Sequence, residues 1–246
     1  MGQSMRHLRR TRSRQAGVSL VEIMVAMIIG LFMLLALSTL FLNFRGTFRD
    51  QDQLAQLQDN ERLALTMFST TIQSAGYFPD PVNNVVTGAL PLSTGNAYGD
   101  FAAGQAVVGT SGANGASDTL TARFMTANGD GVLNCQGQSN TSGANVVYVN
   151  SFAVNVNNEL TCAINGGAAV PLVSGVTGFS VLYGTDTANG GNVDQYLSAA
   201  AVTAAGYWPQ VRTARVTVTF VNPYATQPSQ PATLSWTQTI SLMNRS

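Results

Sequence analysis

Residues 18–44 read VSLVEIMVAMIIGLFMLLALSTLFLNF, and the only charge in the run is Glu22. At about 1.5 Å of rise per residue, some 20 helical residues cross the hydrocarbon core of a bilayer. The run is therefore a candidate for a full-length transmembrane helix. Five arginines (Arg6, Arg9, Arg10, Arg12 and Arg14) precede it with no acid among them, an asymmetry that holds the N-terminus in the cytoplasm and sends the rest outward. A secretory signal peptide has a shorter apolar core and a small-residue exit; here the run ends in the bulky Leu40-Phe41-Leu42-Asn43-Phe44. A plain signal anchor explains everything except Glu22. A carboxylate in a membrane helix costs about 2.5–3.5 kcal/mol near the centre and less at the interface, so Glu22 calls for a partner.

The residues around that acid, Gly17-Val18-Ser19-Leu20-Val21-Glu22, resemble the processing motif of type IV prepilins and type II secretion pseudopilins. Val18 stands where that family usually has Phe. The resemblance implies that a prepilin peptidase removes the basic leader 1–17 by cutting between Gly17 and Val18, and that Val18 becomes the N-methylated first residue. It also implies that Glu22 acts in assembly, pairing with the N-terminal amine of a neighbouring subunit. Opposite charges in a low-dielectric surrounding make that pairing strong.

Beyond Phe44 the chain stays helical in pattern. No proline occurs before Pro79, and Leu54, Leu57, Leu65, Phe68 and Ile72 share a stripe from which Asp52, Asp59 and Arg62 are absent. One helix from Val18 to Ser74 is expected, about 85 Å if continuous, with 18–44 as its transmembrane part and 45–76 as its amphipathic continuation and end. Gly76 suits its C-cap, and Pro79 and Pro81 bar continuation.

Residues 77–246 change to short alternating segments separated by Gly, Asn and Pro. Strands are expected at Thr119–Thr126, where Leu120, Ala122 and Phe124 oppose Thr121, Arg123 and Met125. Others are expected at Val146–Val156 and Leu160–Ala163 with an Asn157-Asn158 turn, and at Val176–Gly184, Val211–Val221 and Ala232–Met243. Asn83–Gly115 and Pro223–Pro231 read as loops. The predicted fold is α+β, a long N-terminal helix packed on a C-terminal antiparallel β-sheet domain.

Composition narrows the chemistry. The twelve basic residues are all Arg, and the formal balance of zero conceals a leader of +5 and a remainder of −5. That remainder has no basic run to neutralise phosphates, so nucleic-acid binding is not expected. His7 is the only histidine and there is no lysine. After loss of the leader, His-based triads, His-ligated zinc and Schiff-base lysines are all excluded, and no enzymatic activity or cofactor is expected. Cys135 and Cys162 form an even pair in a chain that looks exported, which favours a disulfide over two buried thiols. The stretch Asp186–Asp194 invites a calcium reading but fails the EF-hand spacing at Ala188 and Gly190, and Asn128-Gly129-Asp130-Gly131 is a turn signal. No metal site is assigned. Tyr207-Trp208-Pro209 reads as core packing or a loop anchor rather than an exposed contact.

Five downstream segments, Ile72–Phe78, Ser117–Phe124, Leu182–Asp186, Val211–Val216 and Met243–Arg245, resemble those of PilW-type minor pilins. The resemblance implies a low-abundance minor pilin that helps initiate type IV pilus assembly and sits at or near the tip. Its implied partners are other minor pilins, the major pilin and a large tip adhesin. It also implies inner-membrane residence, with the C-terminal domain in the periplasm, before entry into the filament. The alternative it leaves open is a J-type minor pseudopilin of a type II secretion system.

Overall fold

The computed structural model describes residue 17 and residues 19–243. The chain divides into two compact units between Gln51 and Asp52. The leader 1–16, Val18 and the terminal residues 244–246 lie outside the described residues, and with them most of the cleavage and methylation expectation.

Helix α1 spans Leu20–Ser74. It starts where the carbonyl of Ser19 accepts from the amides of Glu22 and Ile23. It stops where Gly76 takes φ +82°, a left-handed conformation that glycine enters without a Cβ penalty. The Gly76 amide leaves the helix ladder to donate to the Arg123 carbonyl at 2.9 Å, so the helix end is tied to the sheet that follows.

Among the described residues the second unit holds nine strands in two antiparallel sheets. One contains β1 (Val107–Thr110), β2 (Thr119–Thr126), β3 (Val146–Val154), β4 (Glu159–Ile164) and β5 (Val170–Ser174), in the order β1-β2-β3-β4-β5. The other contains β6 (Val176–Thr185), β7 (Gln195–Ser198), β8 (Val211–Val221) and β9 (Thr233–Ser241), in the order β7-β6-β8-β9. The expected segments recur within a few residues. Short pieces were not anticipated: β1 and helix α2 (Val86–Ala89) both fall in the stretch read as a loop, and β5, β7 and helix α3 (Ala199–Ala205) lie between the longer strands. Four or five residues carry too little periodicity to register, although α3 has a Ser198 cap accepting from the Ala201 amide and a left-handed Gly206.

The core forms where the second half of α1 meets both sheets. Leu57, Ala64, Phe68, Ile72 and Ala75 are buried, a spacing of three and four that keeps one helical face inward. Phe68 touches both layers: its ring lies 4.8 Å from Phe152 of β3 and stacks at 5.0 Å on Phe179 of β6. Two members of the expected stripe differ. Leu54 is exposed and Leu65 half-buried, while the small residues Ala64 and Thr71 are buried beside Phe68 and Ile72. The sheets are also joined directly, since the Asp118 carboxylate at the head of β2 accepts from the amides of Gly112 and Val181 at 2.8 Å each.

Strand β2 corrects the half-buried expectation. Leu120, Ala122 and Phe124 face the core, but Thr121 and Arg123 are buried as well. The segment 90–105 covers the other face, with Phe101 fully buried there. Arg123 donates from Nε to the Gln105 carbonyl at 2.7 Å, from Nη1 to Pro91 at 2.7 Å, and from Nη2 to Ala102 at 2.8 Å and Leu90 at 3.2 Å. Its guanidinium also lies over the Phe101 ring. Burial pushes this guanidinium down to about 10, which leaves it charged at neutral pH.

Candidate functional site

Within the N-terminal unit, residues 19–44 present an apolar surface whose single charged side chain is the carboxylate of Glu22. From Ser19 to Arg49 every described side chain is exposed apart from the position of Gly30, and α1 is long and apolar enough to cross a membrane. Continuous exposed apolar surface of this extent is stable only when lipid or other protein covers it. Glu22 sits in the first helical turn, where the unpaired amides and the helix dipole favour a negative charge. That local effect accounts for an acid near a helix start, yet it does not supply a counter-charge. A subunit cut before Val18 has an ammonium one helical turn away from such a carboxylate along the chain; Gly17 is described and exposed, whereas Val18 is outside the described residues.

In the second unit the structure joins Cys135 and Cys162 in a disulfide across a sequence separation of 27. Both sulfurs are out of water. The bridge attaches the Asn-rich connection between β2 and β3 to strand β4. That connection satisfies its own backbone with amide side chains. Asn150 accepts from the Cys135 amide and donates to the Ala122 carbonyl. Asn134 accepts from the amides of Gln136 and Gln138, and Asn140 donates to the carbonyls of Thr126 and Ala144. Unpaired buried backbone groups are costly, so an irregular segment held this way keeps one shape.

The loop between β6 and β7 contains the acids that suggested calcium. Asp186 is buried, accepts from the amides of Gly190 and Gly191 at 2.8 Å, and pairs with Arg212 at 3.3 Å. Asp194 accepts from the Thr187 hydroxyl and the Ala188 amide. These bonds are those of a turn, and among the described residues no group of three or more His, Cys, Asp or Glu side chains gathers for a metal. Trp208 anchors its loop, meeting Tyr183 edge-on at 4.9 Å and donating to the Thr203 hydroxyl.

Two features escaped the sequence reading. One is the buried role of Arg123, whose signal was an Arg placed among apolar residues of a strand that follows a long Gly-rich stretch. The other is an open groove of about 670 Å³ between α1 and β9, lined by Gln58, Asp59, Arg62, Thr66, Trp236 and Gln238 among others. Its existence depends on how helix and sheet diverge, which no local pattern encodes.

Comparison with known families finds two matches. Residues 12–38 match the prokaryotic N-terminal methylation motif, and residues 147–244 match the family described as type IV pilus-assembly protein W. The first covers the end of the leader and most of the apolar run; the second begins in β3 and includes every later strand. Among solved structures, a type IV-like pilin from Thermus thermophilus is similar at 16% identity and a TM-score of 0.43, covering 76% of this chain and 96% of that one. At that distance the likeness carries no argument. No curated protein matches.

Proposed function

We propose that this chain is a pilin-like minor subunit of a type IV pilus that helps initiate pilus assembly from a place at or near the tip, a reading supported by the N-methylation motif matched at residues 12–38 and the pilus-assembly protein W region matched at residues 147–244. In this reading the prepilin peptidase removes residues 1–17 and Val18 is N-methylated. Before assembly, 18–44 anchors the chain in the inner membrane with its N-terminus cytoplasmic and residues 77–246 periplasmic. The matched family is one of pilus assembly, which favours a fibre component over the secretion pseudopilin. Other minor pilins, the major pilin and a tip adhesin are its proposed partners.

The observation that carries the mechanism is Glu22, a lone carboxylate in the first turn of a helix that stays apolar to Phe44. In lipid it is an uncompensated charge. In a filament, the ammonium of an adjacent subunit compensates it, so the attraction grows as water is excluded. Entry into the filament is thereby coupled to prior cleavage, because an unprocessed chain has no amine at Val18.

The test is Glu22→Ala in a strain lacking the native copy, with processing, incorporation and surface pili measured together. Mass spectrometry should find the variant beginning at Val18, as the wild type does, since removing a charge improves membrane insertion. Incorporation and piliation should fall sharply. Normal pili built with a cleaved variant would reject the pairing role, and an uncleaved variant would move Glu22 from assembly to peptidase recognition.

A further inference from the structure

Each sheet has two edges, and three of the four are short or interrupted. Strands β1 and β7 have four residues each. Strand β5 has five, contains Pro171 and pairs with β4 through a register shift. Edge β9 is different. It runs nine residues, TLSWTQTIS, without a charge, Pro or Gly, and pairs with β8 in unbroken register. Natural sheets blunt exposed edges with charge, proline, bulges or brevity, and β9 has none of these.

Its bonding pattern shows which groups stay open. The Asn222 amide donates to the Ala232 carbonyl, and the Leu242 amide donates to the Arg212 carbonyl. These directly opposed pairs make the even-numbered residues of β9 the ones bonded to β8. The backbone groups of Thr233, Ser235, Thr237, Thr239 and Ser241 therefore point away from the sheet, and among the described residues none has a backbone partner there. The groove against α1 opens beside the inward side chains of the same strand, Trp236 and Gln238. The carboxamide oxygen of Gln238 is buried without a partner, an acceptor that native interiors rarely leave unpaired.

We infer that the β9 edge receives an extended segment of another pilin-type subunit, which adds as a fifth strand to the four-stranded sheet. Its inward side chains fill the groove, and a donor among them satisfies Gln238. Strand addition draws its affinity from main-chain bonds and its selectivity from alternate side chains. The chemistry here selects a polar, uncharged segment: β9 carries no charge, and the acids of the helical wall, Asp59 and Glu61, are partly balanced by Arg62. The inference rests on the reading of this chain as a filament subunit.

The experiment replaces Thr237 in the full-length chain, in the strain lacking the native copy. Thr237→Pro removes one outward amide and is compatible with an edge strand. Thr237→Lys leaves the backbone intact and adds the charge that protects edges, and Thr237→Val is the control. Pro and Lys should lower the amount of chain recovered in sheared filaments about tenfold, as expected for one or two backbone bonds, with Val near wild type. Hydrogen exchange should find the amides of Ser235, Thr237 and Thr239 protected in filaments and open in detergent-extracted protein. Those of Trp236 and Gln238 should be protected in both, which also certifies that each variant is folded. Undiminished incorporation of folded Pro and Lys variants would overturn the inference and leave the pilin reading intact. Wild-type chain missing from filaments would overturn that reading as well. If extracted wild-type protein dimerises and Thr237→Lys does not, the occupant is a second copy of this chain, and the assignment to another subunit falls.

Discussion

Arg123 and Glu22 are two charges in apolar surroundings, and they have been resolved in opposite ways. Arg123 is 2% exposed, and its planar fork reaches four carbonyls of the covering segment, something the single ammonium of a lysine cannot copy. The bonds stabilise that segment more than the strand, since 90–105 has little regular structure of its own. Arg123→Met should therefore destabilise the protein by roughly 2–4 kcal/mol, the cost of leaving several buried carbonyls unpaired. The measurement is the urea midpoint of detergent-solubilised protein, with hydrogen exchange across 90–105 rising first. Because its folded value is lowered to about 10, the cost of burying this charge is constant at neutral pH; it declines only as pH rises through that value, and stability then increases. Glu22 has no such cage within the described residues. On the proposed reading its compensation comes from a neighbouring subunit, so the same type of observation bears on stability in one case and on assembly in the other.

Helix α1 changes its role along its length without changing its backbone. Its apolar first part faces outward on all sides, and from Leu57 onward a narrow inward stripe takes over. Phe68 is the centre of that stripe, in contact with one aromatic ring from each sheet. Phe68→Ala should cost about 3–5 kcal/mol, as for a large buried aromatic whose cavity rigid neighbours cannot refill. A thermal melt of extracted protein would measure it. The proposed cleavage after Gly17 should be unaffected, because Gly17 belongs to the other unit. The helix limits were legible from the absence of proline and the cap at Gly76. The helical stripe places Leu54 inward, and its exposure shows that a stripe identifies a face but not how far the covering sheet extends along it.

At the scale of the whole molecule, the chain divides into a unit with an apolar helical segment and a unit with a buried core, each stabilised by different means. The domain is poor in charge, and its Asn-rich connection is fastened by side-chain amides and by the Cys135–Cys162 bridge. Removing the bridge with Cys135→Ser/Cys162→Ser should lower stability by about 3–4 kcal/mol on the chain-entropy account, read again from the urea midpoint. Both cysteines are nearly inaccessible, at 1% and 0% exposure. Reductant and alkylating agent should accordingly label them at the rate of global unfolding, and rapid labelling of folded protein would contradict the burial.

What the sequence determined by itself was the part governed by near neighbours along the chain. The length and apolarity of 18–44, the acid at Glu22, the helix stop at Gly76 and the alternation of β8 are all local, and a hydrophobic period is legible wherever one face meets water. Strand β2 lost that legibility because a loop covered its second face, so Thr121 and Arg123 were buried where alternation predicted solvent. The division of nine strands into two sheets was decided by tertiary structure, through Phe68 and Asp118 contacting both layers at once. So was the open edge of β9. Its residues read as an ordinary strand, and only the order β7-β6-β8-β9 leaves their outward amides without a neighbour, because strand order depends on contacts between distant segments that no window of sequence contains.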